Sequence, residues 1–360
     1  MVFTQEERRN STPLIFKIIE EKKINLPKVL EEYNLHFKSF IFLTGENNFK
    51  NNIKQQIVCQ PAQYFVVKEA THDQADEIIK KIGNQVTTSH LIVAVGGGTV
   101  NDVAKMVALK TGCEFISCPT TLSNDGLVSS NCTLKNGDSH FSSTQAKSPL
   151  GIIVNLNFIK TCPDKYIVAG IGDLVSNVSS LHDWKLAVKV GKEKRDDVIF
   201  HINSLATERI LYYDYSLIKN KKEIDFKNSR FLYSLTESLV TSGLCMSFFG
   251  SSRPCSGSEH NLAHSMSKLH PESNFIHGFQ VAFFTLITER LAGNDISHLE
   301  KLYNLVGLPS KFSYFGLNLN HLFEIIKDSP KVRNRYTILQ DKSSILNDKK
   351  LLKDLIADLV

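Results

Sequence analysis

Between Ser39 and Leu156 the chain alternates short apolar runs with polar stretches of helical period. The runs SFIFLTG (39–45), AQYFVVKEA (62–70), HLIVAVGGG (90–98), EFISCPTT (114–121) and LGIIVNL (150–156) are rich in β-branched and aromatic residues and read as strands. HDQADEIIKKIG (72–83) and VNDVAKMVALKTG (100–112) repeat apolar residues every three or four positions and read as helices. Strand–helix alternation on this spacing predicts a parallel sheet with crossover helices. HLIVAV is apolar at consecutive positions, which predicts a strand covered on both faces. Beyond about Cys162 helical period takes over, in 165–190, in 229–250, in GFQVAFFTLITERLAG (278–293) and again over the last fifty residues. The fold expected is α/β, with a sheet domain over 1–162, an all-helical domain over 163–360 and ligands in the cleft between them.

Composition narrows the function. A chain of 360 residues suits two domains rather than one core, and 42% apolar with 22% charged residues is ordinary for a globular protein. The net charge is +5, and the densest basic runs, KVGKEKRDD and NDKKLLKD, are interleaved with acids. They read as solvated helix faces, so nucleic-acid binding is not expected. No apolar stretch approaches the roughly 18 residues of a membrane span, and MVFTQEERRN lacks the apolar core of a secretory signal. Seven cysteines with no CxxC pair read as free thiols in a reducing compartment, so a cytoplasmic location is expected.

Candidate chemistry sits in four segments. Gly96-Gly97-Gly98-Thr99 ends a buried strand and opens a helix. Glycines there let a phosphate approach the backbone, and the helix start offers free N–H donors, although a tight turn alone accounts for the same residues. CPTTLSNDG follows the next strand, dense in hydroxyls, with Asp125 at its tip. Thr120, Ser123 and Ser129 are placed to bond a cofactor and Asp125 a substrate hydroxyl; turn and cap chemistry is the plain alternative. His260 and His264 stand four apart in GSEHNLAH and share one helical face, and His277 follows thirteen residues later. Asp173, in AGIGDLVSN, is either a helix cap or the oxygen ligand that joins two imidazoles in a three-ligand metal site with open positions.

The order GGGTVNDVAK, PTTLSNDG, GIGDLVSN with DWKLA, SRPCSGSEHNLAH and HGFQV resembles the metal-dependent polyol dehydrogenases. That group takes in glycerol dehydrogenase, the iron-type alcohol dehydrogenases and, more distantly, dehydroquinate synthase. The SNDG loop, the DW dipeptide and SRPCSGSEH are most similar to the sn-glycerol-1-phosphate dehydrogenases, over roughly Ser39 to Val281. The resemblance implies a dehydroquinate synthase-like fold, a Rossmann-like dinucleotide domain followed by a helical metal and substrate domain. It implies Asp173, His260 and His277 as ligands of one divalent metal, with zinc first and nickel or iron as alternatives. His264 becomes a substrate or proton-relay residue and Asp125 a contact for substrate hydroxyls. Gly96, Gly97, Gly98, Thr99, Asp102, Thr120, Ser123 and Ser129 then hold NAD or NADP. The implied reaction is reversible hydride transfer between the nicotinamide and C2 of dihydroxyacetone phosphate, with the metal polarising the carbonyl. The small phosphorylated ketone or polyol is the expected partner, and a homo-oligomer the expected assembly.

Two positions depart from the pattern: Phe279 stands where the family usually has Glu, and Asn177 where it often has Lys. Neither removes a ligand. Arg253 is assigned either to the substrate phosphate, which guanidinium binds bidentately, or to a salt bridge that positions the histidine helix. After the first predicted strand, Gly45 and Glu46 lie where an adenine ribose is expected, and an acid there favours NAD over NADP. The alternatives are a sugar-phosphate cyclase of the dehydroquinate synthase type, in which the carboxylate ligand is typically Glu rather than Asp, and a non-catalytic nucleotide-binding protein.

Overall fold

The computed structural model describes residues 12–46, 56–60, 62–83, 86–135, 141–220, 223–273 and 275–360. The chain divides into two compact units, Met1–Asp164 with Lys227–Thr236, and Lys165–Phe226 with Glu237–Val360.

The first unit is built on strands β1 (Ile15–Ile19), β2 (Ser39–Gly45), β3 (Ala62–Val67), β4 (His90–Gly96) and β5 (Glu114–Pro119). A hairpin follows, β6 (Asn131–Lys135) with β7 (Phe141–Gln145), and then β8 (Gly151–Asn155). Six of these form one sheet in the order β1-β8-β5-β4-β2-β3, with every neighbouring pair parallel. The parallel sheet agrees with the alternation in the sequence. β1, from the run PLIFKII, is an added edge strand that the sequence pattern does not single out; the hairpin, also not singled out, forms a separate two-stranded sheet.

Both faces of the sheet are covered, which is why β2 and β4 are apolar at successive positions. Ile41, Leu43, Ile92 and Ala94 pack on one side against helices α1 (His72–Ile82) and α2 (Gly98–Thr111). Phe40, Phe42, Leu91 and Val93 pack on the other, with Ile15, Leu26 and Phe158. The chain leaves β2 outward to β3, then returns to the far side of β2 with β4 and continues through β5 and β8. The direction therefore reverses between β2 and β4, and in open parallel sheets ligands bind at the carboxyl ends of such a pair. Gly45 and Gly96 end those two strands.

The second unit is helical, with α3 (Asp164–Val175), α4 (Asn177–Lys189), α5 (Asp197–Leu211), α6 (Ser229–Phe249, whose residues to Thr236 group with the first unit), α7 (Ser258–Leu269) and α8 (His277–Leu291), followed by shorter helices to the end of the chain. Trp184, fully buried, packs edge-on against Phe249 at 4.7 Å and donates its indole N–H to Lys194 O. All seven cysteines are free and buried, as the odd count and absent CxxC imply. No helix among the described residues is long and apolar enough to cross a membrane.

Candidate metal centre and nucleotide loop

The metal centre begins with a close crossing of α3 and α8. A Cβ on Gly278 would lie 2.0 Å from Ala169 O, and one on Gly172 would lie 2.5 Å from Gly278 O. Only glycine lets the two backbones meet there, and the crossing sets Asp173 beside His277, with Oδ1 to Nε2 at 3.6 Å. The ring of His260, from the first turn of α7, lies 5.1 Å from that of His277. Asp173, His260 and His277 each offer a ligand atom, and these atoms all lie within 4.8 Å of one another. Two imidazoles and a carboxylate at that spacing suit a divalent transition metal with open coordination positions. The structure thus brings together the three residues named as ligands.

Behind the ligands lies a second layer that the sequence reading missed. Glu259, fully buried, meets His260 Nδ1 at 2.7 Å through Oε1, which leaves Nε2 as the free ring nitrogen for a metal. A carboxylate on the rear nitrogen of a ligating histidine fixes the tautomer and raises its basicity. The same Oε1 accepts the Gly257 N–H at 2.6 Å, and burial pushes the Glu259 acid above its ordinary range. Gly257 is required by space, since a Cβ would lie 2.6 Å from Asp183 Oδ2 and 2.9 Å from Glu259 Oε2. Asp183, the acid of the DW dipeptide, accepts the N–H groups of Ser258 and Ile338 at 2.6 Å each, so it pins the start of α7. Its pKa rises to about 6 through burial and then through Glu259.

His264 lies 6.0 Å from His277, ring to ring, outside the ligand set. Its Nε2 is 2.9 Å from Arg333 Nη2. Arginine can only donate, so this nitrogen accepts and Nδ1 carries the proton. Burial, then Arg333, holds His264 well below its ordinary pKa. His260 is pushed down to about 3 by burial and by Arg333 and Arg335. His277 is lowered by its dry surroundings first and by His260 and Arg333 next, although 39% of its side chain still meets solvent. All three imidazoles are therefore neutral near pH 7, the form that ligates.

The departures from the family pattern fall in packing. Phe279 is buried with its ring edge-on to Tyr314. Asn177 is buried and donates to Ser242 Oγ at 2.9 Å and Asn203 Oδ1 at 3.3 Å. Asn203 and Ser180 in turn both donate to Pro254 O at 2.8 Å, which anchors the turn before α7. Arg253, in that turn, is fully buried, and its Nη2 donates to Asp183 O and Tyr336 O. It positions the segment that carries His260, while its Nε and Nη1 have no hydrogen-bond partner.

In the sheet unit, the loop after β4 meets the loop after β5. Thr120 N–H donates to Gly96 O, and a Cβ on Gly97 or Gly98 would lie 3.1 Å from Thr121 Oγ1 or 3.2 Å from Asn124 Nδ2. Gly97 caps α2 without a side-chain acceptor, so the first N–H groups of that helix remain for an anion. Thr99 is exposed there; Ser123 and Asp125 are half-buried on the neighbouring loop. Asp102 and Ser129 have other employment. Asp102 accepts Thr133 N–H and pairs with Lys105 at 3.4 Å; Ser129 is 1% exposed and donates to Asn131 O. Lys105, absent from the sequence reading, is buried and donates to Gly126 O and Asn131 O at 2.6 and 2.7 Å. The hydrogen bonds of these three tie the loop to α2 and β6. Glu46 is exposed at the end of β2, and residues 47–55 lie outside the described residues.

Comparison with known proteins shows the family and the fold. Residues 20–163 match the family model described as iron-containing alcohol dehydrogenase. The glycerol-1-phosphate dehydrogenase [NAD(P)+] of Pyrococcus horikoshii is 33% identical over 276 residues, 76% of this chain and 77% of that protein. The enzyme of the same name from Methanococcus aeolicus is 33% identical over 350 residues, 93% of this chain and 96% of that protein. The crystal structure of a probable glycerol dehydrogenase from Sinorhizobium meliloti superposes with a TM-score of 0.75 at 18% identity, over 97% of both chains, which shows the shared fold. The chain belongs to the glycerol-1-phosphate dehydrogenase family, within the iron-containing alcohol dehydrogenases.

Proposed function

We propose that the protein interconverts dihydroxyacetone phosphate and sn-glycerol 1-phosphate with NAD(P)H, using one divalent metal held by Asp173, His260 and His277. The observation that carries this reading is the ligand cluster itself, three donor atoms within 4.8 Å with a buried carboxylate behind one imidazole. Zinc is our first assignment, with nickel and ferrous iron next. The metal, when bound, supplies Lewis-acid polarisation of the C2 carbonyl, and the nicotinamide supplies or accepts the hydride.

The chain's own residues do the rest. The open start of α2 and the loop around Thr120 and Ser123 bind the dinucleotide phosphates. Asp125 accepts a hydrogen bond from a substrate hydroxyl. His264, its tautomer set by Arg333, keeps a proton on Nδ1 for a group of the bound substrate. The curated relatives carry a dehydrogenase name rather than a cyclase name, in line with Asp173 where cyclases of this group typically have Glu.

The test is a panel of ketones with NADH and NADPH on metal-analysed protein. Dihydroxyacetone phosphate should be reduced well ahead of dihydroxyacetone, with net loss of NAD(P)H absorbance. Undiminished turnover after His260→Ala would refute the ligand assignment.

A further inference from the structure

The helical unit holds a polar cavity of about 730 Å³ to which none of the three metal ligands contributes. Lys192, Lys194, Arg253, Arg333 and Arg335 line it, and Glu193 is the single acid among the lining residues. Its volume lies within the range of small-molecule sites.

The arginines have neutral hydrogen-bond partners. Arg253 donates to two backbone carbonyls, Arg333 to Ser256 Oγ and His264 Nε2, and Arg335 to Ser256 O and Ser252 Oγ. Arg253 is 0% exposed, yet its Nε and Nη1 bond to nothing, with Glu193 Oε2 4.0 Å from Nε. Glu259 and Asp183 offset some of this charge from outside the lining. Burial and the neighbouring arginines still depress the Arg335 guanidinium to about 9. Buried guanidinium donors without acceptors are costly, and a tetrahedral oxyanion is the ligand whose acceptors match their fork.

We propose that this cavity binds a phosphomonoester or inorganic phosphate dianion, separately from the metal ligands, and that Arg333 joins it to the metal centre through His264. Arg253 then acts within a cluster, its unpaired nitrogens supplying donors to the phosphate. The chemistry fits two sources, the phosphate of the substrate itself or a second phosphorylated molecule; only that choice rests on the function proposed above.

Titrating inorganic phosphate into the metal-loaded protein without nucleotide, at constant ionic strength, tests the site by calorimetry. Saturable binding is expected, at least tenfold weaker in Arg335→Gln. It should also weaken in Lys194→Gln, where the substituted side chain is exposed and the fold is not at risk. The metal-free His260→Ala protein should keep the binding. No saturable binding, or binding lost in His260→Ala and unchanged in Arg335→Gln, overturns the site, the latter because the ion then sits on the metal.

Kinetics separate the sources. Phosphate inhibition competitive with dihydroxyacetone phosphate, and a KM raised in Arg335→Gln for that ketone but not for dihydroxyacetone, assigns the site to the substrate's own phosphate. Non-competitive inhibition assigns it to a second molecule. If no ketone is turned over the oxidoreductase reading fails, while the calorimetry still decides the cavity.

Discussion

The nucleotide loop and the metal centre are built from opposite materials. At the proposed loop the backbone is the functional group: Gly97, Gly98 and the uncapped start of α2 offer their N–H groups, while Asp102, Lys105 and Ser129 bond within the surrounding segments. At the metal centre the side chains are functional, and the backbone serves by coming close, through Gly172, Gly257 and Gly278. A site of the first kind should respond to added bulk, and one of the second kind to lost donor atoms.

The largest effect that tests this contrast comes from the ligands. Asp173→Ala or His260→Ala should leave purified protein with little bound metal by elemental analysis. Losing several kcal/mol of Lewis-acid stabilisation should slow ketone reduction by on the order of a thousandfold. Near-normal metal content in Asp173→Ala would break the contrast at its root.

Next come the glycines. Gly278→Ala forces a methyl against Ala169 O, a backbone atom that cannot swing away, and should cost about 3 kcal/mol of stability, visible in chemical denaturation. Metal affinity should fall with it, since this crossing sets Asp173 beside His277. Gly97→Ala meets the Thr121 side chain, nearest at Oγ1, 3.1 Å, and that side chain can rotate. Its stability should barely change, while KM for NAD(P)H rises about tenfold as the backbone loses its approach to phosphate. Equal stability losses in the two variants would erase the distinction.

The shell behind the metal adds a pH signature that the loop lacks. Asp183 has its pKa raised to about 6 from an ordinary 3.8, so folding favours its protonated form. Its contribution to stability is fully present below about pH 4 and is lost as pH rises through about 6. Asp183→Asn removes one N–H acceptor and should be less stable throughout. Wild type should nonetheless lead it by more at pH 5 than at pH 7.5 in urea unfolding. A lead independent of pH would mean that the carboxylate is ionised over the whole range.

The parts legible in the sequence are those where one segment carries its own pattern. The β2, β4 and β5 runs announce themselves because both faces of a parallel sheet demand apolar residues, and the glycine loop and histidine helix follow as short motifs. β1 was missed because a single apolar run near the amino terminus does not show that it pairs in parallel with β8, some 130 residues away. Arg333 meets His264 across 69 positions, and a chain shows no such pairing without coordinates. Glu259 was more accessible: an acid beside a candidate ligand in GSEHN is a signal in itself. Segment 227–236 groups with the sheet unit although it opens a long helix, and nothing in its composition marks that change.

The smallest effect bears on what a hydroxyl in a ligand loop is for. CPTTLSNDG and the residues after it present Ser123 and Ser129 alike in sequence, and the structure separates them. Ser123 is half-buried, while Ser129 is buried with its Oγ directed to Asn131 O at 3.4 Å. Ser129→Ala should therefore leave KM for NAD(P)H unchanged and cost about 1 kcal/mol of stability. Ser123→Ala should reverse that order, raising KM by roughly fivefold, as expected for one lost hydrogen bond of about 1 kcal/mol, with stability intact. If Ser129→Ala instead raised KM and left stability alone, its hydroxyl would turn toward the dinucleotide in the working enzyme. The loop would then use side chains as the metal centre does, and the contrast between the two sites would narrow to the glycines alone.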